Sequence, residues 1–457
     1  MLSLLLWRVV TMPSRQILKF IGAAALLVLP LSGASAESLT DALALAYASN
    51  PTIRAERARL RATEELKPQA WSGALPQISA QGAYNNIKET QTFNPAIFPI
   101  SGGDVTSTYQ PLTAGVSGEL PVFTGFRNYN AIRQAQARVR AGGAQLAAVE
   151  QDVLNRVATA YFDVLRDLAI YDSNTNNVEV LVRQRDEAQL RFKVGEVTKT
   201  DVSQAEARLA RARAGLAGSQ AQLAVSRANY AELVGQAPGT LEPVLSLPEL
   251  PDSLDSARQL ADSYSPGVVA SREQEEAARR QVAIAKGALM PTVSVVAGYS
   301  YADEPSTFLQ KDETFSYGVR ATAPIFAGGK NWSQLREARA LHDSSRESVL
   351  EAERRAEAAV TAAWEQLIAA RITINAATAQ VSANNLALDG VRREAQVGTR
   401  STLDVLDAEQ EYLNANVSLA NAQRDERVAA FSLLAAAGVL TPEAIGINSA
   451  DVVPAQD

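Results

Sequence analysis

Apolar residues recur along this chain with two periods, seven and two, and the two kinds of block alternate. Ile132, Val139, Leu146, Val153 and Ala160 fall at every seventh position, as do Leu335, His342, Val349, Ala356 and Ala363. A further stripe follows each of these: Val202, Leu209, Leu216, Leu223 and Tyr230, then Ala408, Ala415, Ala422, Ala429 and Ala436. A sustained seven-residue repeat holds one seam of a helix against its neighbour and builds coiled coils. The segment 127–193 alone would reach about 100 Å as a helix. Where the seam is alanine, two backbones can approach more closely than leucine permits. Helices this long and this small-sided predict a tube or a rod, not a ball.

Between the heptad blocks, apolar and polar residues alternate strictly. Ile78, Ala80, Gly82 and Tyr84 share one face, with Ser79, Gln81 and Asn85 on the other. Leu112, Ala114, Val116, Gly118 and Leu120 alternate with Thr113, Gly115, Ser117 and Glu119. Val293, Val295, Ala297, Tyr299 and Tyr301 precede Phe315, Tyr317, Val319, Ala321 and Ala323, with Ser316, Gly318, Arg320 and Thr322 between the latter. Segments of about ten residues with one apolar face match transmembrane β-strands, although a half-buried soluble sheet carries the same pattern. Four strands cannot close a barrel, since about eight are the fewest seen. The barrel must be shared among chains, and a homotrimer would supply twelve strands. The stretches 87–108 and 302–313, with Pro95, Pro99, Gly102, Gly103, Asp312 and Glu313, read as surface loops.

The whole plan is written twice, an internal tandem duplication. Asn50-Pro51 recurs as Ser265-Pro266, and Leu75-Pro76 and Tyr84 as Met290-Pro291 and Tyr299, a shift of 215 positions. Leu120-Pro121-Val122-Phe123-Thr124-Gly125 recurs as Ala323-Pro324-Ile325-Phe326-Ala327-Gly328, a shift of 203 that holds as far as Gly235 and Gly438. The difference falls between Tyr84 and Pro121, so one loop of the first copy is longer. The expected layout is a first repeat over 37–235 and a second over 254–438. The first holds an opening helix 39–72, strands near 77–86 and 110–122, a long helix 126–193 and a return helix 198–234. The second holds an opening helix 254–288, strands near 292–301 and 314–325, a long helix 330–396 and a return helix 401–437. A proline-rich connector, 236–253, joins them, and a short tail over 439–457 is expected to fray.

The ends and the charge narrow the setting. Arg15 and Lys19 precede an apolar run from Ile21 to Leu31, and Ala34-Ser35-Ala36 offers a cleavage site, so 1–36 reads as a secretory signal. Met12 alone could open that signal. Removing 1–36 takes away three basic residues and no acid, moving the net charge from −7 to −10, which argues against a nucleic-acid partner. There is no cysteine, hence no disulfide and no N-terminal lipid anchor. No stretch after the signal is a transmembrane helix, so entry into a membrane requires a closed β-barrel. No nucleophile elbow or phosphate-binding loop is present, and no enzyme, cofactor or resident metal is expected. His342 sits on a heptad stripe and Trp364 is the counterpart of Tyr161; both read as packing.

The second turn, Val397-Gly398-Thr399-Arg400-Ser401-Thr402-Leu403-Asp404-Val405-Leu406-Asp407-Ala408, together with the duplicated plan, closely resembles the TolC family of outer-membrane channel-tunnel proteins. The resemblance covers essentially the whole mature chain. It implies an α+β membrane protein of Gram-negative bacteria, a homotrimer with one twelve-stranded barrel in outer-membrane lipid. A helical coiled-coil barrel would continue across the periplasm to a closed tip. It implies an exit duct for efflux pumps and type I secretion, joined through a periplasmic adaptor to an inner-membrane transporter. The rival reading is a soluble periplasmic coiled-coil adaptor or structural rod, for which strand hairpins have no use.

The tip can be argued from its residues as well. Val194-Gly195 and Val397-Gly398 reverse the chain, and are where adaptor docking is expected. Thr198 with Asp201, and Ser401 with Asp404, have capping-box spacing. Asp404 and Asp407 share a helix face. They read either as capping carboxylates or, by resemblance, as two rings of three that line the narrowest point. Such rings would favour cations, raise carboxylate pKa values by repulsion and invite block by a multivalent cation. By resemblance Arg400 helps to tie the tip shut near the first turn, where Thr200 and Asp201 occupy the partner positions. The chain departs from the family at Ala395, where a tyrosine is expected, and at Arg392, where an acid is expected. Opening is expected to be an iris-like unwinding resisted by a few polar contacts of about 1 kcal/mol each.

Overall fold

The computed structural model describes residues 36–92, 104–243, 248–306 and 308–447. The signal, Pro95, Pro99, Gly102, Gly103 and the last ten residues lie outside these. The chain begins with α1 (Leu39–Ser49), α2 (Pro51–Glu64) and α3 (Leu66–Ser72), where one helix over 39–72 was expected. Proline explains both breaks. Pro51 opens α2 and drives Asn50 into an extended conformation, where the Asn50 side chain caps the Thr52 amide at 2.9 Å. Pro68 lacks the N–H that would bond to Glu64, so α2 cannot run on into α3. The second copy has only the first break, between α6 (Leu254–Tyr264) and α7 (Pro266–Gly287). Its counterpart of Pro68 is Ala283, and α7 passes through it unbroken.

Four strands form one antiparallel sheet in the order β1 (Gln77–Tyr84), β4 (Leu112–Phe123), β5 (Thr292–Ser306), β6 (Leu309–Thr322). The two copies fold in one register. Ser79 stands opposite Ser117, and the shifts of 215 and 203 carry this pair onto Ser294 and Arg320, which also face each other. One row across the sheet is small, Ser79, Ser117, Gly298 and Ser316, and the next is apolar, Ala80, Val116, Tyr299 and Phe315. The first expected loop is itself structured: β2 (Ile87–Thr92) and β3 (Asp104–Tyr109) form a second hairpin. Its β-branched residues favour pairing, and the Thr90 and Thr106 hydroxyls meet across it at 3.0 Å. The second expected loop is mostly strand too, since β5 extends to Ser306 and β6 starts at Leu309. At its other end β6 stops at Thr322, before Pro324, whereas β4 continues past Pro121 through a bulge because β5 lies alongside it.

The long helices α4 (Arg127–Lys193) and α8 (Lys330–Gln396) each span 67 residues. They return as α5 (Lys199–Val234) and α9 (Thr402–Ala436). Pairing is both within and between copies: α4 packs on α5, α7 and α9, and α8 on α7 and α9. The main core lies midway, around the fully buried Tyr161, Phe162 and Tyr230. There the Tyr161 hydroxyl donates to the carbonyls of Glu37 (2.9 Å) and Glu242 (2.7 Å). Burial pushes the Tyr161 phenol up to about 12. The connector is stitched to the chain start by backbone bonds, Glu37 N–H to Thr240 (2.8 Å) and Glu242 N–H to Glu37 (3.0 Å). The tail does not fray where it is described: Leu440 and Ile447 are buried in this core and Glu443–Ile445 forms a 3-10 turn. Trp364 packs at the edge of a smaller cluster, and His342 is half-buried with its Nε2 2.6 Å from Glu275 on α7. Among the described residues no helix is long and apolar enough to cross a membrane.

Candidate functional site

The ends of the two helical hairpins, remote from the sheet, carry the residues singled out in the sequence. Gly195 and Gly398 adopt φ of 80° and 81°, a conformation that glycine enters without strain. Each closes a Schellman turn: Glu196 N–H donates to Arg191 at 2.9 Å, and Thr399 N–H to Glu394 at 3.0 Å. Val194 and Val397 stand exposed at the apices. The chain then re-enters a helix through a capping box. Thr198 N–H donates to Asp201 Oδ2 at 2.8 Å, and Ser401 N–H to Asp404 Oδ2 at 2.9 Å, with hydroxyl bonds alongside. The Thr198 hydroxyl and amide hold the Asp201 carboxyl below its ordinary range, and those of Ser401 do the same for Asp404. For Asp404 this is opposite in sign to the repulsion that three copies would add.

Arg400 does not meet Thr200 or Asp201 within the protomer. Its Nε donates to Glu394 Oε2 at 2.8 Å, on its own hairpin, and this bond raises the guanidinium pKa. Thr200 is exposed in the first turn of α5. Asp407 reaches the other copy: Arg208 Nη2 on α5 donates to its Oδ1 at 2.6 Å. Two residues on, Glu409 is 5% exposed, and its Oε1 accepts from Arg392 Nε (3.0 Å) and Nη2 (2.5 Å) and from Gln184 Nε2 on α4 (3.3 Å). Leu406 is buried in a cluster with Leu181, Leu209 and Ala212 of the first copy. Sequence reasoning passed over Arg208, Gln184 and Glu409. The available signal was Arg392: an unexpected base needs an acid, and Glu409 lies across the hairpin within one helical turn of level with it.

The protomer thus combines four amphipathic strands in one sheet, two helical hairpins of very unequal arms and two capped turns. The sequence profile described as outer membrane efflux protein matches residues 42–236 and 257–439, one block per copy. The chain belongs to that family. Outer membrane efflux protein BepC of Brucella suis biovar 1 is 33% identical over 95% of this chain and 93% of its own length. Outer membrane protein TolC of Vibrio cholerae is 25% identical over 89% of this chain and 92% of its own. The fold matches the CmeC outer membrane channel of Campylobacter jejuni with a TM-score of 0.78, at 16% identity, over 90% of each chain. The protein is thus an outer-membrane efflux protein of TolC type, and its family is one of transport channels. The soluble rod weighed from the sequence falls to this match.

Proposed function

We propose that three copies of this chain pool their strands into one barrel and form a continuous duct from periplasm to exterior. The duct serves efflux or type I secretion when an adaptor and an inner-membrane transporter dock at the tip. The observation that carries this reading is the pair of open sheet edges. Among the described residues β1 and β6 each lack a neighbour on one side, and apolar Ile78, Tyr84, Tyr317 and Val319 stand exposed along them. An open edge of that kind pairs with another chain.

The duplication supports one register for that pairing. Inside the protomer, β4 joins the copies by pairing with β5, Gly118 opposite Ala297. Advancing Gly118 by 203 and taking 215 from Ala297 places Ala321 of one copy opposite Gly82 of the next. Val319 then faces Tyr84, and Ala323 faces Ala80. All six lie on the apolar face, so the lipid-facing surface continues across the seam; a slip of one residue would turn it inward.

At the other end, threefold symmetry gathers Asp404 and Asp407 about one axis, where carboxylates favour cations and admit block by a multivalent cation. Arg400, exposed beside the second turn, ties to Thr200 or Asp201 of an adjacent copy in this reading. The apical Val194-Gly195 and Val397-Gly398 offer apolar contact to an adaptor. The test is mass and pore formation of the detergent-purified protein. A heat-modifiable trimer that conducts in planar bilayers, cation-selectively, is the expected result. A monodisperse monomer without channel activity contradicts the reading.

A further inference from the structure

Where the helices meet the sheet, the chain changes charge. The stretches 66–76, 121–136, 281–291 and 323–336 hold six bases, Lys67, Arg127, Arg133, Lys286, Lys330 and Arg336, and no acid, in a chain of net charge −7. The fold gathers these stretches beside one end of the sheet, since α3 and α7 pack on α4, and α7 on α8. The Asn128 side chain donates to the Gly73 carbonyl, and its counterpart Asn331 to that of Ala288 at 3.3 Å, so both copies build the junction alike. Among the described residues none of the six bases makes an ion pair. Two of them, Arg127 and Lys330, open α4 and α8, where the helix macrodipole favours an acid over a base. Four aromatic residues stand among them, Trp71, Phe126, Tyr129 and Trp332, each more than half exposed.

Phe126 shows what these residues face. Its φ of 61° is a left-handed backbone that a bulky side chain enters only under strain, and the second copy has Gly329 there, with φ of 82°. The strained residue meets Phe123 edge to face, with ring centroids 5.4 Å apart. A bulge after Pro121 sets Phe123 opposite Val293, on the apolar face of the sheet. That face therefore runs off the strands through Phe123 and Phe126 onto α4. Tyr129 follows one turn later, and the Arg133 guanidinium lies 5.6 Å from its ring. Apolar strand, then aromatic ring, then cation is the order of hydrocarbon, interface and phosphate across a leaflet. Phe126 to Arg133 spans about 10 Å of helix, enough to cross the headgroup layer. We propose that this basic and aromatic collar binds the phosphates of anionic phospholipids in the periplasm-facing leaflet of the outer membrane. The proposal rests on the barrel reading and adds a ligand to it. The competing occupant is a second copy. The contact of Gly125 with Gly287, shifted by 203 and 215, would set Gly328 against Ser72 of the next chain. That neighbour would bring Lys67 and Trp71 but no acid, so it extends the collar and does not neutralise it.

The test is lipid retention by the full-length protein, purified in neutral detergent, mixed with equal phosphatidylglycerol and phosphatidylcholine, and weighed by native mass spectrometry. The wild type is expected to hold phosphatidylglycerol several-fold over phosphatidylcholine, and to lose that preference in high salt. Combined Arg133→Gln, Lys330→Gln and Arg336→Gln is expected to abolish the preference. Arg133→Lys with Arg336→Lys, which keeps the charge, is expected to restore it. Phe126→Gly removes the strain and the ring together, so it is expected to melt higher in detergent yet hold less lipid, a split that packing alone would not give. Excess inorganic phosphate is expected not to compete; displacement of the lipid by it would make the collar a site for free anions and overturn the lipid claim. Equal retention of both lipids by a wild-type trimer overturns the collar and leaves the duct. If the glutamine variant also loses its trimer in that case, the collar is a subunit contact. A wild-type monomer overturns the duct and the collar with it.

Discussion

The two copies within this chain are the same fold in two surroundings, and glycine shows the difference most plainly. Gly125, with φ of 64°, lies so close to Gly287 that an added Cβ would stand 2.5 Å from its carbonyl oxygen. Its counterpart Gly328, with φ of 59°, has nothing within 4 Å. The first copy meets the second at this point, whereas no described residue meets the second copy at Gly328. The same contrast separates β4, paired on both sides, from β6, paired on one. In the proposed trimer, the second copy would do with a neighbour what the first does inside the protomer.

Substitution can break that contrast. Gly125→Ala adds a positive-φ penalty of about 1–2 kcal/mol to overpacking of about 1–3 kcal/mol, and is expected to abolish the folded protomer, read as loss of all heat-modifiable species. Gly328→Ala carries the φ penalty alone in the protomer, so it is expected to leave a helical monomer and lower only the yield of trimer. Equal loss for both would remove the contrast. Next in size is the waist. Tyr161→Phe leaves the Glu37 and Glu242 carbonyls without their buried donor, costing about 1–3 kcal/mol, seen as a lower melting temperature. Trp364→Phe, at the equivalent but half-covered site, is expected to cost less.

Smaller effects come with pH, and they differ in sign between waist and tip. Burial raises the Tyr161 pKa from 10.0 to about 12. Its contribution is therefore whole below pH 10 and is lost as pH rises through about 12. The carboxyls of Asp201 and Asp404 are depressed from 3.8 by their capping bonds, so their contribution is present above that value and lost only as pH falls below it. The melting temperature is thus expected to be untouched by these caps from neutral pH down to pH 5. A fall already at pH 5 would trace the loss to groups other than these caps.

The sequence showed the strands, the heptad hairpins and their twofold repetition because each follows from a period of side chains along the chain. Three features escaped it for physical reasons. The break at Pro68 is a single missing N–H inside an otherwise helical pattern, and Ala283 in the other copy does not repeat it. The β2–β3 hairpin lies in the segment where the copies differ in length, so no counterpart pointed to it. The contacts between the hairpins join residues about 200 positions apart, 199 for Arg208 and Asp407 and 225 for Gln184 and Glu409. Periodicity tells which face a residue occupies, but not which distant charge will lie opposite. Asp404 and Asp407 look alike in the sequence, yet one caps its own helix and the other bonds to the opposite copy.

The natural absence of cysteine allows the seam to be measured directly. Cysteines placed at Ala321 and Gly82 are expected to oxidise into a covalent ladder ending at the trimer on denaturing gels. Cysteines at Gly118 and Ala297 should close within one chain, and the offset pair at Ala321 and Ala80 should not react. A ladder from the offset pair, or monomer alone from both seam pairs, would contradict the twofold plan extended around a threefold axis.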